Sequence, residues 1–85
     1  MSGEQLFYNG QDVTLDITLK IEQVVRIIAE QRQSSFDDAY RSFTKTNTYR
    51  ALQNTSSLMW AESAEYIANR YFEEIQNNLE PGLKL

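Results

Sequence analysis

Val13-Thr-Leu-Asp-Ile-Thr-Leu-Lys-Ile-Glu-Gln-Val-Val-Arg-Ile-Ile28 decides the fold, because it reads in two ways. Val13, Leu15, Ile17, Leu19 and Ile21 alternate with polar residues, the period of a half-buried strand. Ile17, Ile21, Val24, Val25 and Ile28 also fall at i, i+4, i+7, i+8 and i+11, a single stripe on a helix. The helical template extends further, to Arg32, and its polar positions carry Lys, Glu, Gln and Arg, which lose little side-chain freedom in a helix. The spacing therefore predicts a helix over 16–33, with Asp16 or Thr14 as its N-cap and residues 1–15 extended before it.

Downstream the pattern shortens. Ser34-Ser35 breaks the stripe, and Ser35 with Asp38 three positions on resembles a capping box with Asp in place of Glu. Phe36, Ala39, Tyr40 and Phe43 then form the apolar face of a two-turn helix. Thr44 to Asn47 is a polar turn, and Thr48 is placed to cap a second short helix, 49–53, that presents Tyr49 and Leu52. Asn54 to Ser57 is another turn. The last helix is expected over 62–79, with Ser63 as its cap and Trp60 as a staple at its entrance. Its stripe is Ala64, Ile67, Ala68, Tyr71, Ile75 and Leu79, and Pro81-Gly82 ends it. The expected fold is all-α, a small orthogonal bundle of two long and two short helices. It is read as a single helical domain over 16–79 with a C-terminal tail, 80–85; the polar ends, 1–11 and 80–85, are expected to fray.

Eight of the ten aromatic residues lie between Phe36 and Phe72, which predicts a core built from rings. At 85 residues the chain is near the size where folding leaves little margin. Its 41% apolar and 24% charged content is that of a folded protein rather than a disordered one. A net charge of −4 argues against general affinity for DNA or anionic membranes. The charge is uneven: from Ala39 to Ala61 there are three basic residues, Arg41, Lys45 and Arg50, and no acidic one. No stretch approaches the ~20 apolar residues of a membrane span, and no signal peptide is recognisable, so a cytoplasmic location is expected.

The chemical inventory is small. With no cysteine and no histidine, thiolate chemistry, disulfides and the commonest metal-ligating and proton-shuttling side chain are all missing. Asp37-Asp38 and Glu73-Glu74 are paired carboxylates, but the first pair falls in a helix's first turn, where it offsets the macrodipole. The second pair is in polar register, so surface or capping roles are expected for all four. Ser42-Phe-Thr-Lys45 matches S-x-x-K without the S-D-N and K-T-G elements that give that motif meaning. The glycines lie only in the two tails, so no phosphate loop exists. No catalytic, cofactor-binding or metal-binding residue is assigned, and no cofactor is expected.

Two binding readings remain. The helices 36–43 and 48–54 have the outline of a helix-turn-helix, in which Tyr49, Arg50, Gln53 and Asn54 would read bases and Arg41 and Lys45 would hold phosphates. Against it, Leu52 and Tyr49 are wanted by the core. The alternative is a protein-binding surface: Tyr, Trp and Arg dominate interface hot spots, and Arg41, Lys45, Tyr49, Arg50, Met59, Trp60 and Glu62 are its candidate residues. A protein partner or self-association is the expected outcome, with no membrane.

Ser35-Phe-Asp-Asp-Ala-Tyr-Arg-Ser-Phe43, Thr48-Tyr-Arg-Ala-Leu52 and Leu58-Met-Trp-Ala-Glu-Ser-Ala-Glu-Tyr-Ile67 together resemble a group of short bacterial all-helical proteins of unknown function. The resemblance covers about residues 16–76. It implies a bacterial, cytoplasmic, helical accessory protein, and because some related small families sit in toxin–antitoxin-like operons, a toxin-like partner encoded nearby. It carries over no catalytic residue.

Overall fold

The computed structural model of the protein describes residues 6–79, and side chains as far as Asn77. Two short strands, β1 (Phe7–Tyr8) and β2 (Gln11–Asp12), pair antiparallel with Phe7 opposite Asp12 and Tyr8 opposite Gln11. Asn9 and Gly10 make the turn between them, both at positive φ (52° and 80°), the geometry that right-twisted hairpins favour and that Asn-Gly adopts at least cost. Residues 6–12 are thus a hairpin rather than the frayed extended segment the sequence reading expects. The other frayed stretches, and the Pro81-Gly82 stop, lie outside the described residues.

The ambiguous stretch is helical. α1 runs Thr14–Arg32 and buries Ile17, Val24, Val25 and Ile28, the helical stripe rather than the alternating one. Leu15 and Leu19, which a strand would have placed beside Ile17, are left 66% and 48% exposed. The helix starts two residues earlier than expected, and neither Asp16 nor Thr14 caps it. Val13 occupies the N-cap position, while Asp12 Oδ1 accepts the Thr14 N–H at 2.9 Å. The Thr14 hydroxyl is taken up instead by the Leu6 N–H at 2.7 Å, and the Val13 N–H bonds Leu6 C=O at 2.8 Å, so the hairpin fixes where α1 begins. Its C-terminus closes on Gln33 in the left-handed region (φ 55°), with Ser34 N–H returning to Ala29 C=O at 3.0 Å, the Schellman arrangement.

α2 (Phe36–Thr44) opens on Ser35, whose hydroxyl accepts the Asp38 N–H at 3.1 Å, as the capping pattern predicts. α3 (Asn47–Gln53) is capped by Thr46 and not by Thr48. The Thr46 hydroxyl donates to Phe43 C=O at 2.7 Å and accepts the Tyr49 N–H at 3.1 Å, so one side chain ends α2 and begins α3. Two single 3₁₀ turns, Thr55–Ser57 and Met59–Ala61, lead to α4 (Ala64–Leu79), which opens on the expected cap: Ser63 Oγ accepts the Tyr66 N–H at 3.0 Å.

α1 packs against both α2 and α4, and α3 lies across α4. The interior combines Ile17, Val24, Val25 and Ile28 of α1 with Ala39 and Phe43 of α2, Leu52 of α3, and Ile67, Ala68 and Tyr71 of α4. This differs from the expected core of rings. Only Phe43 and Tyr71 are fully enclosed, and Tyr49, Trp60 and Phe72 are half-buried. Phe36, Tyr40 and Tyr66 remain more than 40% exposed. The aliphatic stripe of a nineteen-residue α1 already fills the space between α2 and α4, so most rings are left to the margins.

Ile28 is wholly buried, and in a domain of this size a cavity there has few neighbours that can relax into it. Ile28→Ala is expected to cost about 2–5 kcal/mol and Ile28→Val about 0.5–1.5 kcal/mol, read from urea unfolding midpoints. Equal and negligible losses in both variants would mean that α1 does not anchor the interior.

Candidate functional site

α3 is seven residues long, too short to persist by itself, and two neighbours hold it. From α2, the Phe43 ring meets Tyr49 edge-to-face at 5.4 Å and Tyr71 of α4 in the same manner at 5.9 Å. From α4, Glu74 reaches the N-terminus of α3. Its carboxylate accepts the Asn47 N–H at 2.7 Å, the Thr48 N–H at 2.9 Å and the Thr48 hydroxyl at 2.8 Å. With Tyr49 N–H bonded to Thr46, every N–H in the first turn of α3 has a partner. Glu74 was legible only as a surface or capping carboxylate; that it caps a helix twenty-six residues away needed the fold.

Partial burial by itself would raise the Glu74 carboxyl, but the donors of Asn47 and Thr48, with Arg50 close by, outweigh it and hold the group below its ordinary value. The same donors favour its charged form at the end of α3. Glu73 points elsewhere, 3.7 Å from Arg70 in an exposed pair. Among the described residues no group of three acidic side chains converges as a metal site would need.

The hairpin of α2 and α3 presents three features side by side. On one flank Phe36 and Tyr40, one turn apart on α2, lie nearly parallel (8°) with centroids 6.5 Å apart, each 42% exposed. Tyr49 continues this shelf from α3. Burial, and then the neighbouring Tyr40, push its hydroxyl above the ordinary value. On the outer crest stands Arg50, exposed, donating to the Asn47 side-chain carbonyl. On the other flank is a groove of about 430 Å³ between α3 and α4, with Ala51 and Met59 among its lining and Arg70, Glu73 and Asn77 along α4.

The seven candidate residues divide accordingly. Tyr49 belongs to the ring shelf and Arg50 to the crest. Arg41 and Lys45 are exposed on α2, with Arg41 4.0 Å from Asp38. Met59 lines the groove. Trp60 and Glu62 go elsewhere. The Trp60 indole N–H donates to Thr55 C=O at 2.9 Å and its ring meets Tyr8 of β1 edge-on at 5.7 Å, so it ties the hairpin to the 3₁₀ turns. Glu62 is exposed, and its backbone carbonyl accepts from Lys20 Nζ at 2.6 Å. The sequence reading assigned Phe36 and Tyr40 to the core. The four apolar residues of α2 span a third of its circumference, and α1 covers only the Ala39–Phe43 side.

For the helix-turn-helix outline the geometry is less favourable. Leu52 and Thr48 are buried, and a carboxylate already occupies the end of α3 that would approach a phosphate. No described helix is long and apolar enough to cross a membrane.

The fold and surface define a small all-α bundle carrying a short helical hairpin with exposed rings. Compared with protein-family models, curated proteins and solved structures, the chain matches none at a significant level.

Because the Glu74 carboxyl is depressed in the folded chain, it stabilises the fold at pH values above its ordinary range, and this contribution is lost as the pH falls through the lowered value. Glu74→Ala is expected to cost about 1–3 kcal/mol at neutral pH. In urea unfolding across pH, the wild-type and Glu74→Gln curves should converge as the pH falls through the lowered Glu74 value, below the ordinary carboxylate range. Curves that stay parallel would show that Glu74 is not the charged cap of α3.

Proposed function

We propose that this chain is a non-enzymatic protein-binding helical domain, antitoxin-like or otherwise regulatory, acting in the bacterial cytoplasm. The observation that carries the reading is the stacked pair Phe36 and Tyr40, left open beside Tyr49 on a hairpin whose own packing uses Phe43 and Tyr71. Exposed rings held on a rigid element cost little entropy when a partner covers them, which is why aromatics dominate interface hot spots. Arg50 at the crest and Met59 in the adjoining groove extend the same surface, and both residue types are enriched at interfaces. The accessory-protein role and the nearby-encoded partner follow from the family resemblance.

The competing reading, a DNA-binding helix-turn-helix-like autoregulator, has Tyr49, Arg50, Gln53 and Asn54 reading bases and Arg41 and Lys45 holding phosphates. It asks an acidic chain to approach a polyanion with Glu74 beside the reading helix.

Affinity purification from the native cell extract, followed by light scattering of the eluate, tests the proposal. A stoichiometric partner or a defined self-assembly is expected, lost when Tyr40 and Arg50 are both changed to Ser. A chain that elutes alone as a monomer contradicts it. A mobility shift of duplex DNA at low salt, abolished by Arg50→Ser, would put the DNA reading in its place.

A further inference from the structure

The charge around the ring shelf differs from that of the rest of the molecule. The chain carries a net −4, yet 39–61 holds Arg41, Lys45 and Arg50 and no carboxylate. All three cations are exposed: Arg41 lies on α2, Lys45 follows its last residue as the C-cap, and Arg50 lies on α3. The nearest acids are engaged in different ways. Glu74 is bonded to the N-terminus of α3, where the helix end offsets its charge. Asp37 and Asp38 stand in the first turn of α2, the latter 4.0 Å from Arg41.

We infer that the partner segment seated on this shelf is an acidic stretch of protein that bears a large apolar side chain. The inference rests on the protein-binding reading above and adds the chemistry of the occupant. The apolar side chain covers the faces of Phe36 and Tyr40, and carboxylates on its α3 side, away from Asp37 and Asp38, meet Lys45 and Arg50. An acidic segment is disfavoured by the chain's net negative charge and favoured beside these cations. Charge thus fixes where it docks as well as strengthening the contact.

Other occupants fit less well. A second copy placed shelf to shelf would bring Arg41, Lys45 and Arg50 against their own counterparts. A basic segment would face three cations beside the rings. A single strand of nucleic acid offers both rings and negative charge. Its evenly spaced phosphates, however, would have to pass Asp37 and Asp38 at the Phe36 end of the shelf.

The full chain, nitrogen-labelled for amide spectra, is titrated with short peptides in which one tryptophan is preceded or followed by glutamates, with their lysine counterparts, and with oligothymidylate. The inference expects saturable shifts confined to 36–53 with an acidic peptide, weakening as salt is added. It also expects roughly tenfold weaker binding in Phe36→Ser/Tyr40→Ser and in Lys45→Glu. The Lys45 variant reverses a charge at an exposed position without changing a ring. Circular dichroism of each variant shows that the fold is intact. The inference is overturned if both acidic peptides leave 36–53 unmoved, if a lysine peptide or oligothymidylate binds there more tightly, or if neither variant changes the affinity. Any of these results would leave the protein-binding reading standing, because that reading is decided by the purification experiment and not by this titration.

Discussion

Phe43 is completely buried, and its ring is the point at which α2, α3 and α4 meet. Tyr49 packs against it at 5.4 Å and Tyr71 at 5.9 Å, both edge-to-face, the arrangement in which a ring's positive rim meets its neighbour's negative face. Neither α2, with nine residues, nor α3, with seven, has the length to be stable in water alone. Both persist because Phe43 joins them to α4, while Ala39 and Leu52 carry the same contact into the interior formed with α1. Tyr71 in turn is fixed from α1: Arg32 donates to its hydroxyl at 2.7 Å, so the buried ring meets Phe43 and its polar end has a partner.

Apolar contact alone would leave the ends of such short helices unsatisfied. The hydroxyl of Thr46 and the carboxylate of Glu74 together answer every donor in the first turn of α3, and Thr46 also binds the end of α2. With its first-turn donors paired inside the fold, α3 holds the half-buried Tyr49 and the exposed Arg50 in place beside the open Phe36 and Tyr40 of α2.

Much of the fold was legible in the sequence, and the misses have physical causes. The helical stripe of Ile17 to Ile28 prevailed over the alternating pattern, leaving Leu15 and Leu19 exposed. Ser35 and Ser63 were recognisable as caps because each stands just before an apolar run with its partner N–H three residues on. Thr48 was mistaken for the cap of α3 because Thr46 and Thr48 both suit the role, and local sequence gives no sign that Glu74 would engage the latter. The hairpin at 7–12 was not read from the sequence, although Asn9-Gly10 between Phe7-Tyr8 and Gln11-Asp12 is a strong turn signal; strands of two residues are too short to show an alternating pattern. The ring distribution was the least legible feature. Sequence shows that Phe36 and Phe43 share a helix face, but only packing reveals that α1 covers one and leaves the other open. Of the candidate site residues, Tyr49, Arg50 and Met59 fall near one another around α3. Trp60 serves the fold through Tyr8 and Thr55.

The account depends on α2 and α3 being integral parts of the bundle rather than loosely attached turns. Native-state hydrogen exchange measures this directly. If Phe43 and Glu74 hold the hairpin as described, the amides of Leu52 and Gln53 in α3 should exchange through the same global opening as those of Val25 and Ile28 in α1. Exchange of the α3 amides far ahead of α1, through a local opening that leaves α1 and α4 protected, would contradict it.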